Sequence, residues 1–185
     1  MIILACATER ELRCVSTVRN GVLDGETLHM GGRSFVLCVT GMGPVAAGIS
    51  AGEILTRYPE TTGMINVGIC GSFDAALLPL GCVCTAQREV WPEYGVRTET
   101  ETTPLDHHMF PDLPLAAPNE LVLDPEGAAA LMGLSLPETW ARGVSLTVAG
   151  VSGCPGRANF LRRKYAAAVE NMEGFALALA ARRRG

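Results

Sequence analysis

Two carboxylates in the stretch VENMEG, Glu170 and Glu173, stand three positions apart beside an apolar run. On a helix starting near Glu170 that spacing places both side chains on one face, where they could reach into one site. A carboxylate accepts two O–H donors at once, so such a pair suits the vicinal hydroxyls of a ribose. Acids that satisfy a helix start through its dipole have the same spacing, and the residue types alone leave the two readings level. A second acidic group, Glu9 and Glu11 in ATERE, follows the opening apolar run. A Glu there can act as a general base towards water, or it can simply decorate the first turn of a helix. Two glycine-bearing segments, TGMGP with Gly43 and NVGICGSFD with Gly68, Ile69, Cys70, Gly71 and Phe73, also follow apolar runs. Glycines there let backbone N–H groups approach a bound group, and they serve a tight strand-to-helix turn equally well. Two such loops at strand ends point to a pocket more strongly than either does alone.

The elements that must position these groups read as an α/β alternation. Strand-like runs recur at residues 2 to 7, 34 to 40, 64 to 70, 81 to 91 and 144 to 151. Helical patterns fill the gaps at 44 to 58, opening on Pro44, at 156 to 167, and from about 170 to 183. The runs carry few polar interruptions, which predicts a mixed, mostly parallel central sheet flanked by helices. Residues 92 to 118, rich in Pro, Thr and charge, read as a long loop, either a lid or a simple excursion.

Composition bounds the rest. At 185 residues the chain reads as a single domain, 1–185, and its 48% hydrophobic content contains no run near the roughly 18 residues a membrane span needs. No basic segment precedes the apolar start and charge arrives by Glu9, so no signal peptide is expected and the cytoplasm is the expected location. The net charge of −4 and pI near 5.4 argue against a nucleic-acid surface. Seven cysteines in mostly apolar contexts read as reduced and buried. Cys82 and Cys84 lack a second pair or a nearby His, so no metal site is expected.

Taken in order, ATEREL, TGMGPVAAG, INVGICGSF, SLTVAGVSG and VENMEG resemble the nucleoside phosphorylase and nucleosidase superfamily, and within it the futalosine hydrolase branch. Methylthioadenosine nucleosidases are similar but carry VEMEA and a Ser-containing loop where this chain has Ile69 and Cys70. The resemblance implies hydrolysis of the N-ribosidic bond of futalosine to hypoxanthine and dehypoxanthine futalosine, a step of menaquinone biosynthesis, without a cofactor. It implies a small nucleoside as partner, no nucleic acid or membrane, and a homo-oligomer, dimer or higher. By the same resemblance Glu11 orients and deprotonates the attacking water, while Glu173 and the Met172 main chain bind the ribose, supported by Glu170 and Asn171. Gly43, Ile69, Cys70, Gly71 and Phe73 would line the pocket. Anionic groups suit the reaction because cleavage builds positive charge on the sugar.

Phosphorolysis would need an anion cradle, for which Arg10, Arg33 and Arg88 are the candidates to examine. His107 and His108 could reach the carboxylate of a 5′ extension, or be solvated loop residues, and Arg157 has the same two readings. Phe73 and Trp91 either stack on the base or belong to the core. Relatives continue past the VENMEG segment into a further strand and helix that carry the acid protonating the leaving base, so the chain reads as C-terminally short. Two alternatives follow: another purine nucleosidase or phosphorylase of the methylthioadenosine/S-adenosylhomocysteine type, or a nucleoside-binding relative without turnover.

Overall fold

The computed structural model describes residues 1–17, 21–105 and 119–184. In chain order the first half comprises β1 (Ile2–Cys6), α1 (Glu9–Ser16), β2 (Val22–Asp24), β3 (Thr27–Met30), β4 (Arg33–Val39), α2 (Pro44–Arg57), β5 (Gly63–Asn66) and β6 (Gly71–Ser72). The second half comprises β7 (Cys84–Val90), β8 (Val96–Arg97), β9 (Thr102–Thr103), β10 (Glu120–Val122), α3 (Pro125–Leu131), β11 (Ala141–Thr147), α4 (Pro155–Tyr165), β12 (Ala167–Asn171) and α5 (Gly174–Arg184).

Hydrogen bonding divides the strands into two mixed sheets, each parallel at its centre. In the first, ordered β2-β3-β4-β1-β5, β1 runs parallel to β4 and β5, and the β2–β3 hairpin adds antiparallel strands outside β4. In the second, ordered β10-β7-β11-β12-β6, β11 runs parallel to β7 and β12, and β10 and β6 close the two ends antiparallel. All five residues of β1 are buried because apolar layers cover both its faces. Ile3, Ala5, Val36 and Cys38 pack against Ala47, Ala51, Ile54 and Leu55 of α2 and Leu177 of α5. Ile2, Leu4, Leu28 and Phe35 form the opposite layer with Val15 of α1 and Leu134 beyond α3. A third cluster joins Val90, Leu146, Val148 and Ala167 to Leu161 of α4.

Local chemistry sets the helix starts. Pro occupies the first turn of α2, α3 and α4, where its missing N–H costs nothing, and Asp124 caps α3 by accepting from the Gly127 N–H at 2.9 Å. The expected helix from about 170 is corrected: residues 167 to 171 form β12, and α5 starts at Gly174. Ala166, at φ +49°, stops α4, and parallel pairing with β11 outweighs the helical preference of the alanines that follow. The long excursion after β7 contains the β8–β9 ribbon, closed where the Thr98 hydroxyl donates to the Glu101 carbonyl at 2.9 Å. His107 and His108 lie outside the described residues. Among the described residues no helix is long and apolar enough to cross a membrane.

Candidate active site

The candidate residues gather at the carboxyl ends of the parallel strands. Glu11 follows β1, Gly43 follows β4, and Ile69 and Cys70 follow β5; Glu89 is the penultimate residue of β7, Ser152 follows β11, and Asn171 ends β12. In open α/β sheets this is where ligands bind, because the loops leaving the strands there surround a crevice.

Glu11 is held on both oxygens. Its Oε2 accepts from the Thr8 N–H and hydroxyl, each at 2.9 Å, and the Thr8 Oγ1 in turn accepts from the Glu11 N–H at 3.3 Å. This is a capping box, so the helix-start reading of this acid holds. Its Oε1 reaches further and accepts from the Ile69 N–H at 3.0 Å, drawing the loop after β5 onto the end of β1. Gly68 lets the loop come this close: a Cβ there would lie 3.0 Å from Glu11 Oε1. Burial, and next the charge of Glu11, push the Cys6 thiol up to about 11, so Cys6 is a neutral, buried thiol.

Glu173 is buried and also held on both oxygens. Its Oε1 accepts from the Gly43 N–H at 3.0 Å and its Oε2 from the Met172 N–H at 3.2 Å. The start of α2 has no side-chain cap of its own, and Gly43 at φ +91° presents its N–H to Glu173 instead.

Glu170 and Glu173 do not share a helix face, which corrects the expectation. Glu170 lies on β12 and turns away: its Oε1 accepts from the Ser152 N–H and its Oε2 from the Ser152 hydroxyl, both at 2.8 Å. Gly71, its pairing partner on β6, leaves room for it, since a Cβ would come within 3.2 Å of the Glu170 Cγ. Asn171, one residue on, faces the other side of the strand, as the alternation of a β-strand requires. Its Oδ1 accepts from the Glu173 and Gly174 N–H groups at 2.8 and 2.7 Å, and its Nδ2 donates to Ser145 Oγ at 2.7 Å and to Glu89 Oε1 at 3.1 Å.

Glu89 completes this set. It is 4% exposed; Thr147 donates to its Oε2 at 2.8 Å, and Thr147 Oγ1 accepts from the Phe175 N–H at 2.7 Å. Burial pushes the Glu89 carboxyl up from the ordinary carboxylate range, against its hydroxyl and amide donors, and the Glu173 charge adds to the rise. Burial, and next the charge of Glu89, push the Cys70 thiol up from its ordinary value.

Residue by residue, the structure unites Glu11 with Ile69, Glu173 with Gly43 and Met172, and Glu170 with Gly71. Phe73 and Met172 pack against the Val90–Leu146–Leu161 core. Trp91 stacks on Tyr94 at 5.1 Å between ring centroids and tilts onto Phe175 at 5.8 Å. Arg157 pairs with Glu93 at 2.7 Å, Arg88 with Glu120 at 3.1 Å, and Arg33 donates to the Gly31 and Gly133 carbonyls. A separate cavity of about 380 Å³, bounded by Asp74, Leu77, Arg142, Arg162 and Ala167, opens at the start of β11 and β12 and contains none of these acids.

Residues 4–185 match a family described as the phosphorylase superfamily. The chain belongs to the phosphorylase superfamily. Solved structures extend the likeness of this superfamily member at the level of fold. A 5′-methylthioadenosine/S-adenosylhomocysteine nucleosidase from Helicobacter pylori aligns at TM-score 0.71 and 14% identity, over 98% of this chain and 78% of its own. The corresponding enzyme from S. pneumoniae aligns at 0.70 and 20%, over 98% and 79%. The futalosine hydrolase of Helicobacter pylori strain 26695 aligns at 0.68 and 14%, over 98% and 78%. No curated protein matches significantly.

Sequence reasoning assigned no role in this superfamily member to Glu89, Ser145, Thr147 or Ser152. No local signal marked Glu89. Arg88 next to it in β7 reads as its surface partner, and only the fold shows that Glu89 itself is buried, where acids are rare unless partnered.

Proposed function

We propose that the chain is an N-glycosyl hydrolase that cleaves the N-ribosidic bond of futalosine, releasing hypoxanthine and dehypoxanthine futalosine. One observation carries the reading: two carboxylates, Glu11 and Glu173, are each fixed on both oxygens by backbone N–H groups at the carboxyl ends of the parallel strands. In this reading Glu11 takes a proton from water as the water oxygen bonds to the anomeric carbon, and the C–N electron pair leaves with the purine. Glu173 and the Met172 main chain hold the ribose hydroxyls, and both carboxylates stabilise the oxocarbenium-like charge. A carboxylate oxygen has a second lone pair, so the bonds that aim these groups leave acceptor capacity for substrate.

Hydrolysis is preferred to phosphorolysis because two of the three arginine candidates are engaged away from the acids, Arg33 by carbonyls beside the β3–β4 turn and Arg88 by Glu120 and the Tyr165 carbonyl. Futalosine is preferred to methylthioadenosine on the VENMEG and NVGICG segments. The working form is a homo-oligomer, for which the stripe Met42, Val45 and Ile49, 69%, 73% and 59% exposed beside Gly43, is the self-association surface.

The test is base release from futalosine, aminofutalosine, methylthioadenosine and inosine, with and without phosphate, followed by chromatography. Phosphate-independent hypoxanthine from futalosine, abolished in Glu11→Gln, is the expected result. Adenine from methylthioadenosine instead would replace the substrate, phosphate dependence would replace the reaction, and binding without release from any substrate would leave a nucleoside-binding protein.

A further inference from the structure

Glu89 is a buried acid, and among the described residues no cationic side chain forms an ion pair with it; Arg88 beside it in sequence turns to Glu120. The groups around it are donors: the hydroxyls of Thr147 and Ser145 and the side-chain amide of Asn171. The charge of Glu173 also acts on it. Its carboxyl lies against the first residue of α5, so closely that a Cβ on Gly174 would come within 2.3 Å of Oε1.

The consequence is directional. An amide has one acceptor end and one donor end, whereas a carboxyl offers acceptors on both oxygens. Asn171 Nδ2 faces Glu89 Oε1 and Oε2, at 3.1 and 3.3 Å, so Asn171 Oδ1 must face the other way, onto the Glu173 and Gly174 N–H groups. We propose that Glu89 is a positioning residue: by fixing which end of the Asn171 amide faces α5, it sets the backbone that aims the Glu173 carboxylate, without itself touching substrate. The inference rests on the reading of Glu173 as a sugar-binding group, but its geometry can be tested without substrate.

The test is an exchange of donor and acceptor. Glu89→Gln replaces one of the two oxygens that face the Asn171 NH₂ group with an NH₂ group, and Asn171→Asp sets a carboxylate against the Glu89 carboxyl. The double variant restores a donor facing an acceptor, now in the opposite sense, and keeps a carboxylate oxygen for the Glu173 and Gly174 N–H groups. Hydrogen exchange followed by NMR at those two amides is the first readout, with the Thr40 N–H, bonded to the Cys6 carbonyl in the other sheet, as control. Each single variant is expected to speed exchange at both amides about tenfold, the worth of one hydrogen bond, and the double to recover most of it. Base release is expected to follow the same pattern in kcat.

A double variant that fails to fold, or that shows the two losses combined, overturns the proposal, as does unchanged exchange in a folded Glu89→Gln. If wild type releases no base yet the amide rescue appears, the hydrolase reading falls and the positioning role stands. If wild type is active and the two amides do not respond, the positioning role alone falls.

Discussion

Glu11 closes a capping box and also bonds the loop after β5, so its role as a cap and the catalytic role proposed for it can be separated by mutation. Thr8→Ala removes the cap acceptor but leaves the carboxylate, and is expected to lower stability by about 1 kcal/mol. Glu11→Gln is expected to lower base release by about 10² to 10⁴, the usual worth of a general base. Denaturant unfolding and kinetics on both variants check this: if Glu11→Gln loses only as much activity as Thr8→Ala, Glu11 is a cap alone. Glu89 gives a pH signature of opposite sign to an ordinary salt-bridged acid. Its carboxyl is raised in the folded state, so its contribution is full below the ordinary carboxylate range and is lost as pH rises towards the raised value. Glu89→Gln has no proton to lose, and is expected to gain melting temperature relative to wild type as pH rises through the range above the ordinary carboxylate values. A difference in melting temperature that stays constant across that range would show that Glu89 does not titrate with folding. The acids of ATERE and VENMEG were legible as site candidates because carboxylates next to apolar runs are costly enough to need a reason. Their partners were not, because a backbone N–H from a loop some 58 or 130 positions away leaves no mark on residue type.

The junction of β12 and α5 shows how close packing fixes an element. Gly174 lies against Glu89, and its Ala variant would place a Cβ 2.3 Å from Oε1, so Gly174→Ala is expected to cost about 1 to 3 kcal/mol through displacement of the helix start. Gly52, in the exposed middle of α2, has nothing within 4 Å of its Cβ position. There Gly52→Ala is expected to stabilise by about 0.5 to 1 kcal/mol through helix propensity. Chemical denaturation of the pair tests the contrast, and equal effects would refute the packing assignment. The alanines after Tyr165 were read as helix because their propensity is helical; β12 forms because β11 offers a parallel partner, a preference no local window contains.

At the scale of the whole molecule, Met42 just before α2 and Val45 and Ile49 on it carry apolar side chains to the surface next to the site. Sedimentation is expected to show a dimer or larger assembly, and Val45→Glu with Ile49→Glu to shift it to monomer; a monomeric wild type would remove the proposed self-association surface. The alternation of apolar runs and helical patterns determined the α/β class and the place of β1, β4, β5, β7 and β11, because burial in a parallel sheet favours apolar runs. The short strands β6, β8, β9 and β10 carried no such pattern, being two or three residues long and set by their neighbours. Residue types by themselves determined that acids and glycines would stand at strand ends. Only the tertiary structure decided that Glu170 and Glu173 face different partners, that Glu11 meets Ile69, and that a buried Glu89 orders the end of β12. Those outcomes depend on strand register and hydrogen-bond direction between segments remote in sequence, and both are properties of the assembled sheets.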